Sequence, residues 1–255
     1  MTTVETPMTP MQKFDAAFGV KKPIFAMLHL KGDNHDAVFE QAKRELDIYL
    51  EGGADAVIVE NYYGGYEDMV RMLDYMKDEH IDTRFGINCL RFDSLGFHLA
   101  RTYGATFVQL DSVIGHVDPK DESAEAAFLE HERSSYDGLV LGGVRFKYQP
   151  MKSVNPLDVD LQISKGRCDA VVVTQDATGQ ETSMDKINEF RAGLGEFPLV
   201  IGAGVTPDNA VAGFSVADAA IVGSYFKDTY KDTGDVCLDH VRTFMVRMRE
   251  IREEL

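Results

Sequence analysis

Pro198-Leu-Val-Ile-Gly-Ala-Gly-Val-Thr-Pro-Asp-Asn209, followed by Ala217-Asp-Ala-Ala-Ile-Val-Gly-Ser-Tyr-Phe226, is the stretch on which the fold turns. Each half is a short β-branched apolar run that ends in glycine and precedes residues able to start a helix. Gly202, Gly204 and Gly223 let backbone N–H groups approach a ligand with no Cβ in the way. Thr206-Pro207 sets a capping hydroxyl before a proline at the first helical position, so a helix N-terminus is aimed at the same spot. Two consecutive strand ends of this kind, late in an α/β chain of roughly 250 residues, have the form of the phosphate site of a (β/α)8 barrel. The candidate phosphate-binding residues are Gly202, Gly204, Val205, Gly223 and Ser224. The alternative is that Gly-Ala-Gly and Val-Gly-Ser are only tight βα turns.

Outward from that stretch the same alternation runs back to residue 23. Strand-like runs over 23–30, 54–61, 83–90, 106–113, 138–148, 169–175, 198–204 and 217–225 are continuous Val/Ile/Leu/Phe stretches. Such runs mark parallel strands buried on both faces. Helical periodicity fills the gaps at 36–51, 66–79, 92–103, 123–135, 157–164, 183–191, 207–214 and 236–255. Eight strands with short crossovers leave a closed (β/α)8 TIM barrel or an open doubly wound sheet. The strand count, and the lack of a Gly-rich loop after the first strand, favour the barrel. Residues 1–20 read as an N-terminal arm with a short helix capped by Thr9-Pro10, and 21–255 as one TIM-barrel domain with no internal repeat.

Composition bounds the function. The formal charge of −16 leaves no basic stripe for nucleic acid. No run of eighteen apolar residues spans a membrane, and no apolar signal core opens the chain. Cys89, Cys168 and Cys237 lie far apart without CxxC spacing, which suits reduced thiols and a cytoplasmic location. A phosphorylated ligand must be met by local N–H groups or a lysine, because the overall field repels it.

In a barrel the chemistry sits at the C-terminal strand ends. Those ends here are His29, Glu60-Asn61, Asn88, Asp111 with His116 beyond it, Arg145 and Lys147, and Thr174 and Asp176. Polar groups on otherwise apolar strands must be solvated or paired, which points to a working mouth. Glu60, Asp111 and Lys147 are the catalytic candidates; His29, Asn61, Asn88, Arg145, Thr174 and Asp176 are the substrate-binding ones. A desolvated Lys147 near Arg145 would act as nucleophile or base; the alternative is an ion pair with Glu60 or Asp111. Glu60 and Asp111 read either as an acid/base pair or as ligands for a hard cation such as Mg2+. Zinc-type spacing is absent.

Pro23-Ile-Phe-Ala-Met-Leu-His-Leu30, Ala54-Asp-Ala-Val-Ile-Val-Glu-Asn61, Gly86-Ile-Asn-Cys-Leu-Arg-Phe-Asp93, Val144-Arg-Phe-Lys147 and Val171-Val-Val-Thr-Gln-Asp-Ala-Thr-Gly179 resemble motifs of the BtpA/SgcQ family. Ile201-Gly-Ala-Gly-Val-Thr-Pro-Asp-Asn209 and Ala220-Ile-Val-Gly-Ser224 complete the series, which covers about 20–250. The chain departs from the family pattern at Lys31–Asp36, Phe92, Asp111-Ser-Val-Ile-Gly115 and Gln175. The resemblance implies a barrel. Its functional implications are mixed, since the family's founding name refers to photosystem I biogenesis while other members are labelled nucleosidases or sit among sugar-use genes.

The reading is an enzyme acting on a phosphorylated sugar or nucleoside-like metabolite by glycosidic-bond cleavage, with no cofactor beyond an optional Mg2+. The alternatives are a sugar-phosphate lyase or isomerase using Lys147, a metal-dependent hydrolase, and a non-catalytic assembly or stability factor. The expected partner is a small phosphorylated metabolite. Homo-oligomers are common among barrels.

Overall fold

The computed structural model describes residues 7–114 and 122–254. Eight strands run β1 Ile24–Leu28, β2 Ala56–Glu60, β3 Arg84–Asn88, β4 Phe107–Ile114, β5 Leu139–Val144, β6 Ala170–Val173, β7 Leu199–Gly202 and β8 Ala219–Val222. All pair in parallel with their sequence neighbours, and β8 returns to β1 to close the barrel. Helices α1 Pro10–Phe18, α2 His35–Gly52, α3 Tyr66–Asp78, α4 Asp93–Tyr103, α5 Glu122–Arg133, α6 Leu157–Ser164, α7 Met184–Leu194, α8 Pro207–Phe214 and α9 Leu238–Glu253 complete the described elements, with a 3-10 turn at Ser224–Phe226. The strand and helix alternation expected from periodicity is present. All strands but β4 are shorter than expected, most of all β5, which stops at Val144, and β8, which stops at Val222, where the backbone turns to carry loop residues over the barrel end. No described helix is long and apolar enough to cross a membrane.

Because side chains alternate along a strand, each strand sends every second residue into the barrel and the others against the helices. The inward set Phe25, Met27, Ala56, Ile58, Phe107, Leu141, Val172, Val200 and Ile221 forms one core. The outward set, with the helix stripes, forms the second and larger one. Gly86 makes room for the Phe107 ring, which would meet a Cβ there at 2.1 Å.

The helix read at the N-terminus does more than lead into the barrel. A capping box holds α1: Thr9 N donates to Gln12 Oε1 at 2.9 Å, and Gln12 N donates to Thr9 Oγ1 at 3.2 Å. Its Phe14 and Phe18, both about 1% exposed, plug the N-terminal end of the barrel. Phe18 lies 4.7 Å from Phe25 and 5.7 Å from Phe107, ring centre to ring centre.

The same end carries a recurrence that the sequence reading passed over. Asp55, Asp169 and Asp218 each stand just before an alanine that opens a strand. Each accepts a backbone N–H from the first or second residue of the preceding strand: Ile24 N at 2.8 Å, and Val140 N and Leu199 N at 2.9 Å. Each also pairs with an arginine from a neighbouring helix, namely Arg252, Arg133 and Arg191. Backbone donors at this strand end are thereby satisfied without solvent.

Truncating a buried phenylalanine to alanine typically costs about 3–5 kcal/mol. Phe18→Ala should therefore lower the urea midpoint by a corresponding amount without changing the slope. A loss below about 1 kcal/mol in chemical denaturation would show that α1 does not close the barrel cooperatively.

Candidate functional site

The inward columns that are apolar at the α1 end turn polar one layer higher. Continuing the period of two, β1 delivers His29, β2 Glu60, β3 Asn88, β4 Gln109 and Asp111, and β6 Thr174. All of these but Asn88 line a cavity of about 350 Å³ at the C-terminal end of the barrel, which is also lined by Gly202, Gly204, Gly223 and Ser224. A larger, open groove of about 990 Å³ beside α1 lies at the other end. Its arginines Arg101 and Arg133 are already paired with Glu132 and Asp169, and none of the strand-end candidates lines it.

The centre of the site is a bridged pair of carboxyl groups. Asn88 Nδ2 donates to Glu60 Oε1 at 2.8 Å and to Asp111 Oδ1 at 3.3 Å. Glu60 is 5% exposed and Asn88 3%. Burial is the main cause that raises the Glu60 carboxyl, and Asp111 adds to it; Lys147 and the Asn88 bond pull the other way, leaving it at about 8. Asp111 is raised too, chiefly by burial, and drawn back by Asn88, Lys147 and a bond from Gln109. Both carboxyl groups therefore hold a proton more tightly than a free carboxyl does, Glu60 up to about 8. The second Glu60 oxygen, Oε2, lies 3.4 Å from His29 Nε2. Burial, and the fields of Lys227, Lys147 and Lys31, hold the His29 ring well below its ordinary value, so it is neutral. Tyr62 stacks on that ring at 4.7 Å.

Lys147 enters the cavity through a backbone reversal. Arg145 has φ of +48° and Tyr148 +60°, and the Lys147 N–H is held at 2.8 Å by the buried Thr174 hydroxyl. The lysine amine donates to Thr178 Oγ1 at 3.2 Å. Neither Glu60 nor Asp111 is its ion-pair partner. The Thr178 and Tyr62 hydroxyls also share a hydrogen bond at 3.4 Å, and the Thr178 N–H donates to the Tyr148 hydroxyl at 2.9 Å. This residue thus ties three loops across the mouth.

Several candidates sit elsewhere. Arg145 turns away from the cavity to Asp160, which is fully buried, and to the Asn155 carbonyl at 2.8 Å, because the strand ends one residue earlier and its φ is left-handed. The neighbouring cation invoked for Lys147 is therefore not in the mouth. Asp176 is exposed outside the cavity, with Lys186 as its electrostatic neighbour. Asn61 is a clip: its Oδ1 accepts from Leu90 N at 2.7 Å and holds the loop after β3. Val205 is 4% exposed and packs in the helix–sheet core. His116 lies outside the described residues.

The two glycine turns differ in cause. Gly204, at φ of +69°, has the Gln180 backbone where a Cβ would stand, at 2.4 Å, so packing and backbone both demand glycine. Gly223 faces His29 and Met27 with ordinary clearance of 3.5 Å. Nothing in the fold requires glycine there, and its lack of a side chain serves the cavity. The cap of α8 comes from Asn209, whose Oδ1 accepts from Thr206 N and whose Nδ2 donates to Gly204 O, both at 2.9 Å.

Gln109, Tyr62, Tyr148 and Arg91 line the cavity and were not read from the sequence. Gln109 stands two residues before Asp111, so period-two counting back from that carboxylate identifies it. The other three are loop residues that no periodicity marks.

The BtpA family profile matches residues 20–250. The chain is 26% identical over 258 residues to an uncharacterized protein of Thermococcus kodakarensis, covering 91% of this chain and 97% of that one. It is 25% identical over 236 residues to the photosystem I biogenesis protein BtpA of a Synechocystis species, covering 82% of each. Thiamine phosphate pyrophosphorylase from Pyrococcus furiosus superposes with a TM-score of 0.61 at 15% identity, covering 92% of this chain and 98% of that one. At that identity the likeness is one of barrel architecture. The closed barrel and the family profile over nearly its whole length lead to one conclusion: the chain belongs to the BtpA family.

Proposed function

We propose that this barrel is an enzyme that cleaves the glycosidic bond of a phosphorylated sugar or nucleoside-like metabolite. The observation that carries the reading is the Glu60–Asn88–Asp111 bridge. Glycosidic cleavage needs one carboxyl group that keeps its proton at neutral pH and a second that offers negative charge to an oxocarbenium-like centre. Glu60, the more deeply buried, supplies the proton to the departing atom. Asp111, closer to solvent and within the field of Lys147, supplies the charge. Neutral His29 and Tyr62 form an aromatic wall suited to a planar leaving group. The backbone around Gly204, Gly223 and Ser224 seats the phosphate, where the spare space at Gly223 admits an oxygen atom. The family's nucleosidase labels and the phosphate in the name of the Pyrococcus furiosus neighbour point the same way.

The donor set suits proton chemistry better than a resident Mg2+. An amide N–H2 stands between the two carboxylates, in the position a shared cation would take. Among the described residues no three His, Cys, Asp or Glu side chains are grouped to hold a metal ion. A second reading rests on Lys147, whose amine meets a neutral hydroxyl rather than a carboxylate. Such a lysine suits a Schiff base with a carbonyl substrate in a lyase or isomerase reaction; borohydride trapping of a sugar phosphate on Lys147 would establish it in place of the first.

Three outcomes are expected. Glu60→Gln keeps the acceptor for Asn88 but removes the proton, and should lower kcat by about 10²–10⁴-fold on the substrate class found by a thermal-shift screen. In the unaltered enzyme kcat should fall as pH rises through about 8. An assembly role, as in the name of the Synechocystis relative, predicts that Glu60→Gln is tolerated.

Linkage gives a second test. The Glu60 value in the folded chain is raised from 4.5 to about 8. Its contribution to stability is full below 4.5 and is lost as pH rises through 8, because the folded state then releases a proton it held more tightly than the unfolded chain. Melting temperature should decline across that window, and Glu60→Gln should flatten the decline. An unchanged slope would place the proton elsewhere.

The phosphate seat is tested by calorimetric shift. A phosphorylated sugar at about a hundred times its Kd adds roughly 2.7 kcal/mol, or several degrees for a chain of this size. Gly223→Asp should abolish the shift while preserving the melting temperature of the free protein. A shift that survives Gly223→Asp would move the phosphate away from β8.

A further inference from the structure

Arg91 takes no part in the chemistry above, yet it lines the same cavity as Lys147. It is the second residue of the turn after β3, held at φ of +71°, a left-handed backbone that L-residues seldom adopt. The turn is fixed from below by the Asn61–Leu90 clip. Among the described residues no hydrogen bond or ion pair engages the Arg91 guanidinium, whereas Arg71, Arg101, Arg133, Arg145, Arg167, Arg191, Arg242, Arg247 and Arg252 each meet a carboxylate and Arg84 a backbone carbonyl. On the same cavity, the one hydrogen bond of the Lys147 amine among the described residues is to the Thr178 hydroxyl, and no described carboxylate forms an ion pair with it. In a chain with a formal charge of −16, two cations on one cavity with no ion pair to a described carboxylate are an unusual concentration of positive charge. Glu60 and Asp111 line the same cavity, feel the field of Lys147 and accept hydrogen bonds from Asn88.

We propose that Arg91 and Lys147 form a second anion subsite, so that the ligand carries two anionic groups: the phosphate seated at the β7 and β8 glycines, and a carboxylate or second phosphate held between Arg91 and Lys147. This deepens the phosphorylated-metabolite reading and rests on it. A guanidinium presents two parallel N–H donors that match a planar or tetrahedral oxyanion, and an ammonium adds a point charge. The subsite shares its cavity with Glu60, Asp111 and the glycine turns. A ligand anchored at both ends would therefore span the carboxyl pair, which fixes the reacting bond over Glu60. Such two-point anchoring is how remote binding groups orient a substrate.

The test uses three probes that share a 6-phosphate and differ in the group at the other end: fructose 6-phosphate, 6-phosphogluconate and fructose 1,6-bisphosphate. Their affinities are measured by titration calorimetry on the full chain, on Arg91→Gln and on Gly223→Asp. Arg91 is exposed and Arg91→Gln removes no hydrogen bond or ion pair among the described residues, so the fold is retained. The expected result is that one of the doubly anionic probes binds about tenfold or more tightly than fructose 6-phosphate. Arg91→Gln should erase that advantage and leave the fructose 6-phosphate affinity unchanged. Which probe gains tells carboxylate from phosphate. Equal affinity for all three, or an equal loss for all three in Arg91→Gln, would overturn the second subsite and leave the phosphate seat standing, provided Gly223→Asp still abolishes binding. No binding of any probe at 10 mM, on the order of a very weak Kd, would overturn both.

Discussion

Closure of the sheet is the constraint on which everything else in this molecule depends. Once β8 pairs with β1, no strand edge remains, and every strand residue points either into the barrel or out against a helix. The interior is then a fixed set of columns with little freedom in what fills them. At the α1 end they are filled by phenylalanine and aliphatic side chains, with Phe14 and Phe18 as the plug. At the other end the same columns carry His29, Glu60, Asn88, Gln109 and Asp111. The fold therefore places five polar side chains in a space that is only partly open to water.

The electrostatics of the site follow from that placement. A carboxyl group forced into an interior column loses hydration and holds its proton, unless hydrogen bonds or cations offset the loss. Glu60 has one amide bond and a neighbouring carboxylate, and stays protonated. Asp111 is nearer the opening and has Asn88, Gln109 and Lys147 in its favour. The difference between two chemically similar groups thus comes from their depth in one barrel. Elsewhere the protein treats buried charge differently: Glu45 and Lys227, both buried, are matched at 3.0 Å, and Asp160 is surrounded by Arg145, Ser153 and Asn155. Those clusters are neutralised in place. In the mouth, Arg91 and Lys147 form no ion pair with a described carboxylate, although Glu60 and Asp111 share their cavity.

Strain is concentrated at the same end. Leu30, Arg91, Arg145, Tyr148 and Ala203 all adopt left-handed backbones just past the ends of β1, β3, β5 and β7. Each costs on the order of 1 kcal/mol or more and persists because neighbouring contacts hold it. The clips by Asn61 on Leu90 and by Thr174 on Lys147 are two such contacts. The Asp-Ala strand starts at the opposite end, with their arginine partners, give the stable base against which these turns are held.

The amino-acid sequence by itself determined the barrel, its order of elements and the layer at which polarity begins. Continuous apolar runs and helical stripes with a period of 3.6 are local properties, and eight such units with short connections admit few topologies. The motif series from Ala-Met-Leu-His to Ala-Ile-Val-Gly likewise carried the family. Tertiary structure decided which polar strand ends face one another. Arg145 looks like a mouth residue as long as its strand is taken to continue, but β5 ends at Val144 and the reversed backbone sends it to Asp160. Asn61 and Val205 are adjacent in sequence to site residues and point elsewhere for the same reason of parity. Arg91, Tyr62 and Tyr148 stand in loops, where direction is set by turns and by clips from distant strands rather than by any period. That Asn88 bridges Glu60 and Asp111 follows only from the register that brings β2, β3 and β4 together, a relation between strands that no single strand contains.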